Sequence, residues 1–180
     1  MNIAELKSHA LAARRDIVSM IYESGIGHPG GALSIIDILT WLYYEEVDLS
    51  RSPRSRIVMS KGHAVAAQYA MLYQMGKIER REFSTFRQID SRLQGHPSIK
   101  ALPDVDATTG LLGQGLSVAL GMAAAKKRRN DPHRVFAIPR RRRDARRANL
   151  GNPAAGRSYE NGQPGRHRRL QPLLVTRSGQ

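Results

Sequence analysis

Apolar residues recur at Ile3, Leu6, Ala10, Ala13, Ile17 and Ile21, one face of a helix, and predict a helix over residues 2–24. The glycines and proline of Gly25-Ile26-Gly27-His28-Pro29-Gly30-Gly31 end it, and a second apolar helix is expected over 34–44. Arg56-Ile57-Val58-Met59 reads as a short buried strand. Ser60-Lys61-Gly62-His63 is a turn leading into a helix that runs to Met75, with Gly76 as the residue just past its end. A short surface helix is expected over 79–87, and 93–113 reads as loop. Residues 114–129 form a strong helix pattern carrying Ala119, Gly121, Ala123, Ala124 and Ala125, small residues suited to close packing. Residues 134–138 read as a second strand, and no internal repeat is present. Helices alternating with short apolar strands predict an α/β fold with a parallel sheet.

This patterning stops near Ile138. The chain has 180 residues and a formal net charge of +14, but residues 139–180 alone hold eleven Arg, no Lys, one Asp and one Glu. The remaining charge on residues 1–138 is unexceptional. The tail has four Pro, four consecutive Arg at 140–143 and little apolar periodicity, so by composition it is expected to be disordered. The chain thus divides into an α/β region, 1–138, and an Arg-rich tail, 139–180. Two readings of the tail stand: a basic arm for nucleic acid, or the product of a GC-rich gene read out of frame. With no cysteine, disulfides, thiolate metal sites and a cysteine nucleophile are excluded. No apolar run is long enough to span a membrane, and Met1-Asn2-Ile3-Ala4-Glu5 carries no signal-peptide pattern, so a cytoplasmic location is expected.

Three of the six histidines sit beside glycine in loops: Gly27-His28-Pro29, Gly62-His63 and Gly95-His96-Pro97. A lone histidine is most often an ordinary surface or core residue. Three presented from stiff glycine and proline turns form a set able to donate hydrogen bonds or move protons near neutral pH. Their spacing is not that of a zinc site. His9, His133 and His167 have no such setting and read as surface residues. The run Thr108-Thr109-Gly110-Leu111-Leu112-Gly113-Gln114-Gly115 opens a helix. Backbone N–H groups at such a start favour anions such as a diphosphate, although a glycine turn without a ligand would look the same.

Together these segments, in this order and spacing, resemble the N-terminal half of transketolase over about residues 24–138. The early start and the Gly-Gly-Ala-Leu-Ser wording at 30–34 look like the split form, in which two chains make up the enzyme. The resemblance implies the thiamin-diphosphate-binding fold, a parallel sheet flanked by helices and here truncated. This half would hold the diphosphate end, and a C-terminal transketolase subunit or domain the aminopyrimidine. By position, His63, Gly110, Leu111 and Leu112 would contact the cofactor, with Leu111 in the family's variable slot. His28 and His96 would face the ketose hydroxyls and assist proton transfers as a two-carbon fragment passes between sugar phosphates, the chemistry of pentose phosphate metabolism. A dimer or heterotetramer would be expected of the intact form.

The family continues past the second strand into Gly-Asp-Gly-Glu and a later Asn, whose oxygens hold Mg²⁺ against the diphosphate. Here the place reads Pro139-Arg140-Arg141-Arg142-Arg143, so no metal ligand is assigned in this chain. Written as codons and read one base later, residues 140–151 are compatible with Gly-Asp-Gly-Glu-Met-His-Glu-Gly-Gln-Ile-Trp-Glu. Residues 161–171 are compatible with Met-Asp-Asn-Leu-Val-Val-Ile-Val-Asp-Tyr-Asn. A one-base insertion near codons 138–140 follows, and with it a chain expected to bind the cofactor poorly and to be inactive. The alternatives are a nonspecific nucleic-acid-binding protein, although a tail with one aromatic, Tyr159, shows no stacking platform, or another thiamin-diphosphate enzyme. A deoxyxylulose-phosphate synthase or a dehydrogenase E1 subunit would be of that kind.

Overall fold

The computed structural model describes residues 1–111 and 113–139, and the backbone of 174–176. Helix α1, Ile3–Ser24, starts where the Asn2 side chain accepts from the Glu5 N–H while the Glu5 carboxylate accepts from the Asn2 N–H. It ends at Gly25, whose φ of 71° is left-handed and open to glycine without penalty. Helices α2 (Pro29–Leu33) and α3 (Ile36–Trp41) follow, and α3 runs on into a wider π-helical turn, Leu42–Glu46. Strand β1 is Arg56–Val58. A 3₁₀ turn, Gly62–Ala64, leads into α4, Val65–Gln74, and Gly76 sits just past its end with φ of 71°. A second 3₁₀ turn covers Arg80–Thr85; α5 is Gln114–Arg128, and strands β2 and β3 are Val135–Ala137 and Leu174–Thr176.

The sheet order is β1-β2-β3. Strand β1 pairs parallel with β2, Ile57 opposite Phe136, and β2 pairs antiparallel with β3, Phe136 opposite Val175. Successive strand side chains point to opposite faces. On one face Ile57, Phe136 and Ile138 meet a core built from α1, α3, α4 and the Arg80–Thr85 turn, including Ile17, Met20, Leu39, Tyr69 and Phe83. On the other, Val58, Val135 and Ala137 meet Leu116 and Ala119 of α5. The result is helix, sheet, helix: the α/β arrangement with a parallel pair expected from the pattern.

Several details differ from the sequence expectations. The glycine-rich stretch after α1 is itself helical from Pro29, because proline suits the first turn of a helix. The segment at 80–85 is a tighter helix whose Phe83 and neighbouring Phe86 are buried, so it is anchored in the core rather than laid on the surface. Ile3 is 72% exposed, and the buried stripe of α1 is Ala10, Ala13, Ile17 and Met20. In α5, Gly115, Leu116 and Ala119 are buried and Met122 and Ala123 pack half-buried against them, while Gly121, Ala124 and Ala125 face out. His9 and His133 are half-buried and bonded, His9 to the Tyr44 hydroxyl at 2.8 Å and His133 to Asp131 at 2.6 Å. His167 and most of the tail, whose disorder was expected, lie outside the described residues. Among the described residues no helix is long and apolar enough to cross a membrane.

Candidate active site

Strand β1 ends at Val58, and the chain turns through Ser60 and Lys61 into Gly62–Ala64. This turn is bonded to the neighbouring strand, since Lys61 N–H donates to the Ile138 carbonyl at 2.9 Å. The site therefore lies at the C-terminal edge of the parallel pair, where open α/β sheets leave a crevice. His63 stands on the turn. His28, at the start of α2, lies 5.4 Å from it between ring centroids, and His96 lies 4.8 Å away, edge to face. The three glycine-flanked histidines, more than thirty residues apart along the chain, form one row.

The glycines make the row possible. A Cβ on Gly62 would lie 2.9 Å from His96 Cδ2 and 3.2 Å from the Gly110 Cα, while one on Gly110 would meet the same ring at an ordinary 3.5 Å. His96 thus sits in a notch cut by Gly62, with Gly110 alongside. The loop carrying Gly110 is fastened to the strand end: Thr109 Oγ1 donates to the Met59 carbonyl at 2.6 Å, and Thr109 N–H to the Pro97 carbonyl at 3.1 Å. From beneath, the Tyr69 hydroxyl on α4 donates to the Gln94 carbonyl at 3.0 Å. An open cleft of about 780 Å³ runs from His96 along Pro97, Lys100, Thr108 and Thr109.

Of the residues expected to meet a cofactor, His63 and Gly110 are brought together, Leu111 stands at the rim, 69% exposed, and Leu112 lies outside the described residues. The expected catalytic pair, His28 and His96, flanks His63. Burial, reinforced by the nearby charges of Arg87 and His28, holds the His96 imidazolium below the usual histidine range. This favours the neutral ring, the form able to accept a proton. Its Nε2 is buried without a partner among the described residues.

Sequence reasoning did not single out three further features. Lys61, 8% exposed, donates from Nζ to Ser34 Oγ at 2.9 Å, and Ser34 Oγ donates to the Gly31 carbonyl at 2.9 Å, so one chain of bonds ties α2 to the His63 turn. Lys61 lay inside the Ser-Lys-Gly-His motif and could have been found there. Asp106, its side chain 4% exposed, accepts from Arg54, Arg56 and the Ile57 N–H, which locks the loop before Thr108 to β1. Ser60 Oγ, buried and unpartnered among the described residues, lies 3.0 Å from where a Cβ on Gly115 would be. It faces the first turn of α5, whose N-terminal N–H groups carry partial positive charge.

Residues 7–136 match the family profile described as "Transketolase, thiamine diphosphate binding domain". The chain belongs to the transketolase family. Among similar proteins is one subunit of an apulose-4-phosphate transketolase of Phocaeicola vulgatus, 32% identical over 97% of this chain and 60% of its own length. The subunit of the same name from Actinobacillus succinogenes is 36% identical over 74% of this chain and 51% of its own length. The crystal structure of transketolase from Campylobacter jejuni superposes with a TM-score of 0.70 at 36% identity, covering 77% of this chain and 24% of that one. The chain thus spans half to three fifths of these two relatives and about a quarter of the longer transketolase chain.

Proposed function

We propose that this chain is the diphosphate-binding half of a split transketolase, which with its partner passes a two-carbon ketol unit between sugar phosphates. The row of His28, His63 and His96 at the sheet's C-terminal edge carries the reading. Family membership supports it, as do the relatives whose names make them single subunits of transketolases. The described residues fit the diphosphate end of thiamin diphosphate. The α5 N-terminus and the Ser60 hydroxyl, which has no partner among the described residues, lie together at this edge of the sheet, and His63 and Gly110 would hold the group there, with Leu111 and Leu112 assigned to it by sequence position. Bound there, thiamin diphosphate would supply the nucleophilic carbon and the electron sink. His96, neutral in its notch, would accept a proton from a ketose hydroxyl, and His28 would orient a second hydroxyl.

The magnesium that anchors such a diphosphate does not fit the described residues, which hold no group of three His, Cys, Asp or Glu close enough to bind a metal. The place where the Asp would stand reads Pro139 followed by four Arg. We read this as a frame change near codons 138–140 that leaves the chain as written inactive. The codon compatibility of the tail and the end of the family match at residue 136 support that reading. The alignment reaching 97% of the chain stands against it, which makes the gene itself decisive. The test is calorimetric titration with thiamin diphosphate and Mg²⁺ of the chain as written and of the chain with codons 139–180 read one base later. Magnesium-dependent binding only in the second supports both readings. Tight, magnesium-dependent binding by the chain as written would overturn the frame reading, and binding by neither would overturn the cofactor reading.

A further inference from the structure

Arg87 is half-buried, yet no carboxylate pairs with it among the described residues. Its neighbours in sequence and space are supplied differently: Arg80 pairs with Glu23, and Arg92 with Glu82. A partly buried guanidinium with no carboxylate beside it leaves its charge to act on neighbouring groups. Arg87 has φ of 64°, in the left-handed region that side chains other than glycine seldom adopt, and its N–H is fixed to the Leu93 carbonyl at 2.8 Å. This conformation lays the guanidinium against Gly95: a Cβ there would lie 3.0 Å from Arg87 Nε, 3.4 Å from Cζ and 3.5 Å from Nη2. Gly95 immediately precedes His96. The glycine of that Gly-His-Pro turn thus makes room for an arginine, and a strained backbone holds the arginine there.

We infer that Arg87 is a charge-setting and positioning residue for His96: its unpaired guanidinium, stacked on Gly95, keeps the neighbouring imidazole neutral in its notch. The direction of the His96 shift agrees, with Arg87 acting after burial itself. Burial and His28 act on His96 in the same direction as Arg87. His63 presents its ring to the His96 edge, and His28 acts from the start of α2. Tyr69 on α4 is bonded to the Gln94 carbonyl, and Asp90, Arg92 and Lys100 lie along the cleft wall, Arg92 already neutralised by Glu82. A neutral His96 is what proton acceptance from a ketose hydroxyl requires, so the inference deepens the function proposed above and rests on it for its purpose.

The test reads His96 directly. Histidine-labelled full chain is titrated by NMR without cofactor, the His96 signal being assigned by its loss in His96→Gln. Arg87→Gly removes the charge and suits the left-handed backbone, so this variant should fold. Arg87→Lys keeps the charge. The expected result is a His96 titration midpoint that moves up in Arg87→Gly and stays near its starting value in Arg87→Lys. A midpoint unmoved in a folded Arg87→Gly chain, or moved equally in both variants, would overturn the inference. Since no thiamin diphosphate is present, such a failure leaves the cofactor reading standing, and failure of cofactor binding leaves this result standing.

Discussion

At the scale of single residues, the site is defined as much by missing side chains as by present ones. Gly115 and Gly121 lie on the same helix, yet they should respond oppositely to alanine. A Cβ on Gly115 would lie 2.7 Å from the Ser60 Cα, and that backbone is held at the end of β1 and cannot step aside. Gly115→Ala should destabilise the chain by about 1–3 kcal/mol, the range for overpacking a close contact. A Cβ on Gly121 meets nothing within 4 Å. Gly121→Ala should stabilise by about 0.5–1 kcal/mol through helix propensity alone. Urea unfolding of both variants checks the pair. Equal effects would mean that the close approach of α5 to the Ser60 turn does not constrain the fold.

At the scale of elements, each piece of the site is tied to the sheet by a charge or a hydroxyl rather than by hydrophobic contact alone. Thr109 fastens the Gly110 turn to Met59, Lys61 fastens α2, and Asp106 fastens the loop between them. Helix α5 is closed in the same way. The Asp131 carboxylate accepts from Lys126 Nζ at 2.5 Å and from the His133 N–H at 2.9 Å, while Lys126 also donates to the Arg54 carbonyl at 3.0 Å. The Lys126 bond, aided by the His133 contacts, holds the Asp131 carboxyl well below its ordinary 3.8. A depressed carboxylate stabilises the fold above its unfolded pKa and loses that contribution as pH falls through its folded one. Thermal unfolding between about pH 5 and pH 2 should therefore show a stability loss that Asp131→Asn flattens. A variant with an unchanged acid slope would show that the α5 closure does not depend on this charge.

At the scale of the whole molecule, the charge is lopsided, and its consequences differ from those of a protein selected for nucleic acid. The α/β region carries a modest positive excess, and the eleven Arg beyond Ile138 carry the rest. Polyanion binding by such a tail should be independent of sequence and should fall by about three orders of magnitude or more between 50 and 200 mM salt. Fluorescence anisotropy with duplexes of unrelated sequence tests this. Sequence discrimination that survives the salt series would favour a selected nucleic-acid function over an incidental polycation. Strand β3 belongs to this scale as well. Leu174–Thr176 pairs antiparallel at the β2 edge, whereas an α/β sheet built by helical crossovers would continue in parallel there. A sheet ending in a three-residue antiparallel strand fits a chain that changes character after its second strand.

Much of this molecule was readable from its residues one at a time. Hydrophobic spacing gave α1 because period 3.6 survives any packing partner, and short apolar runs gave both parallel strands. The glycine and proline turns marked His28, His63 and His96, since local backbone chemistry writes itself into sequence. Proximity was not readable in the same way. That these histidines form a row, that His96 rests between Gly62 and Gly110, and that Gly95 makes way for Arg87 are relations between loops far apart in the chain. Only the packing of α4 under the β1 turn brings them together. The same holds for buried charges: Asp106 and Lys61 look like ordinary polar residues until the fold withdraws them from water and supplies their partners. Sequence determined the elements because their causes are local, and the tertiary structure decided the site because its causes are not.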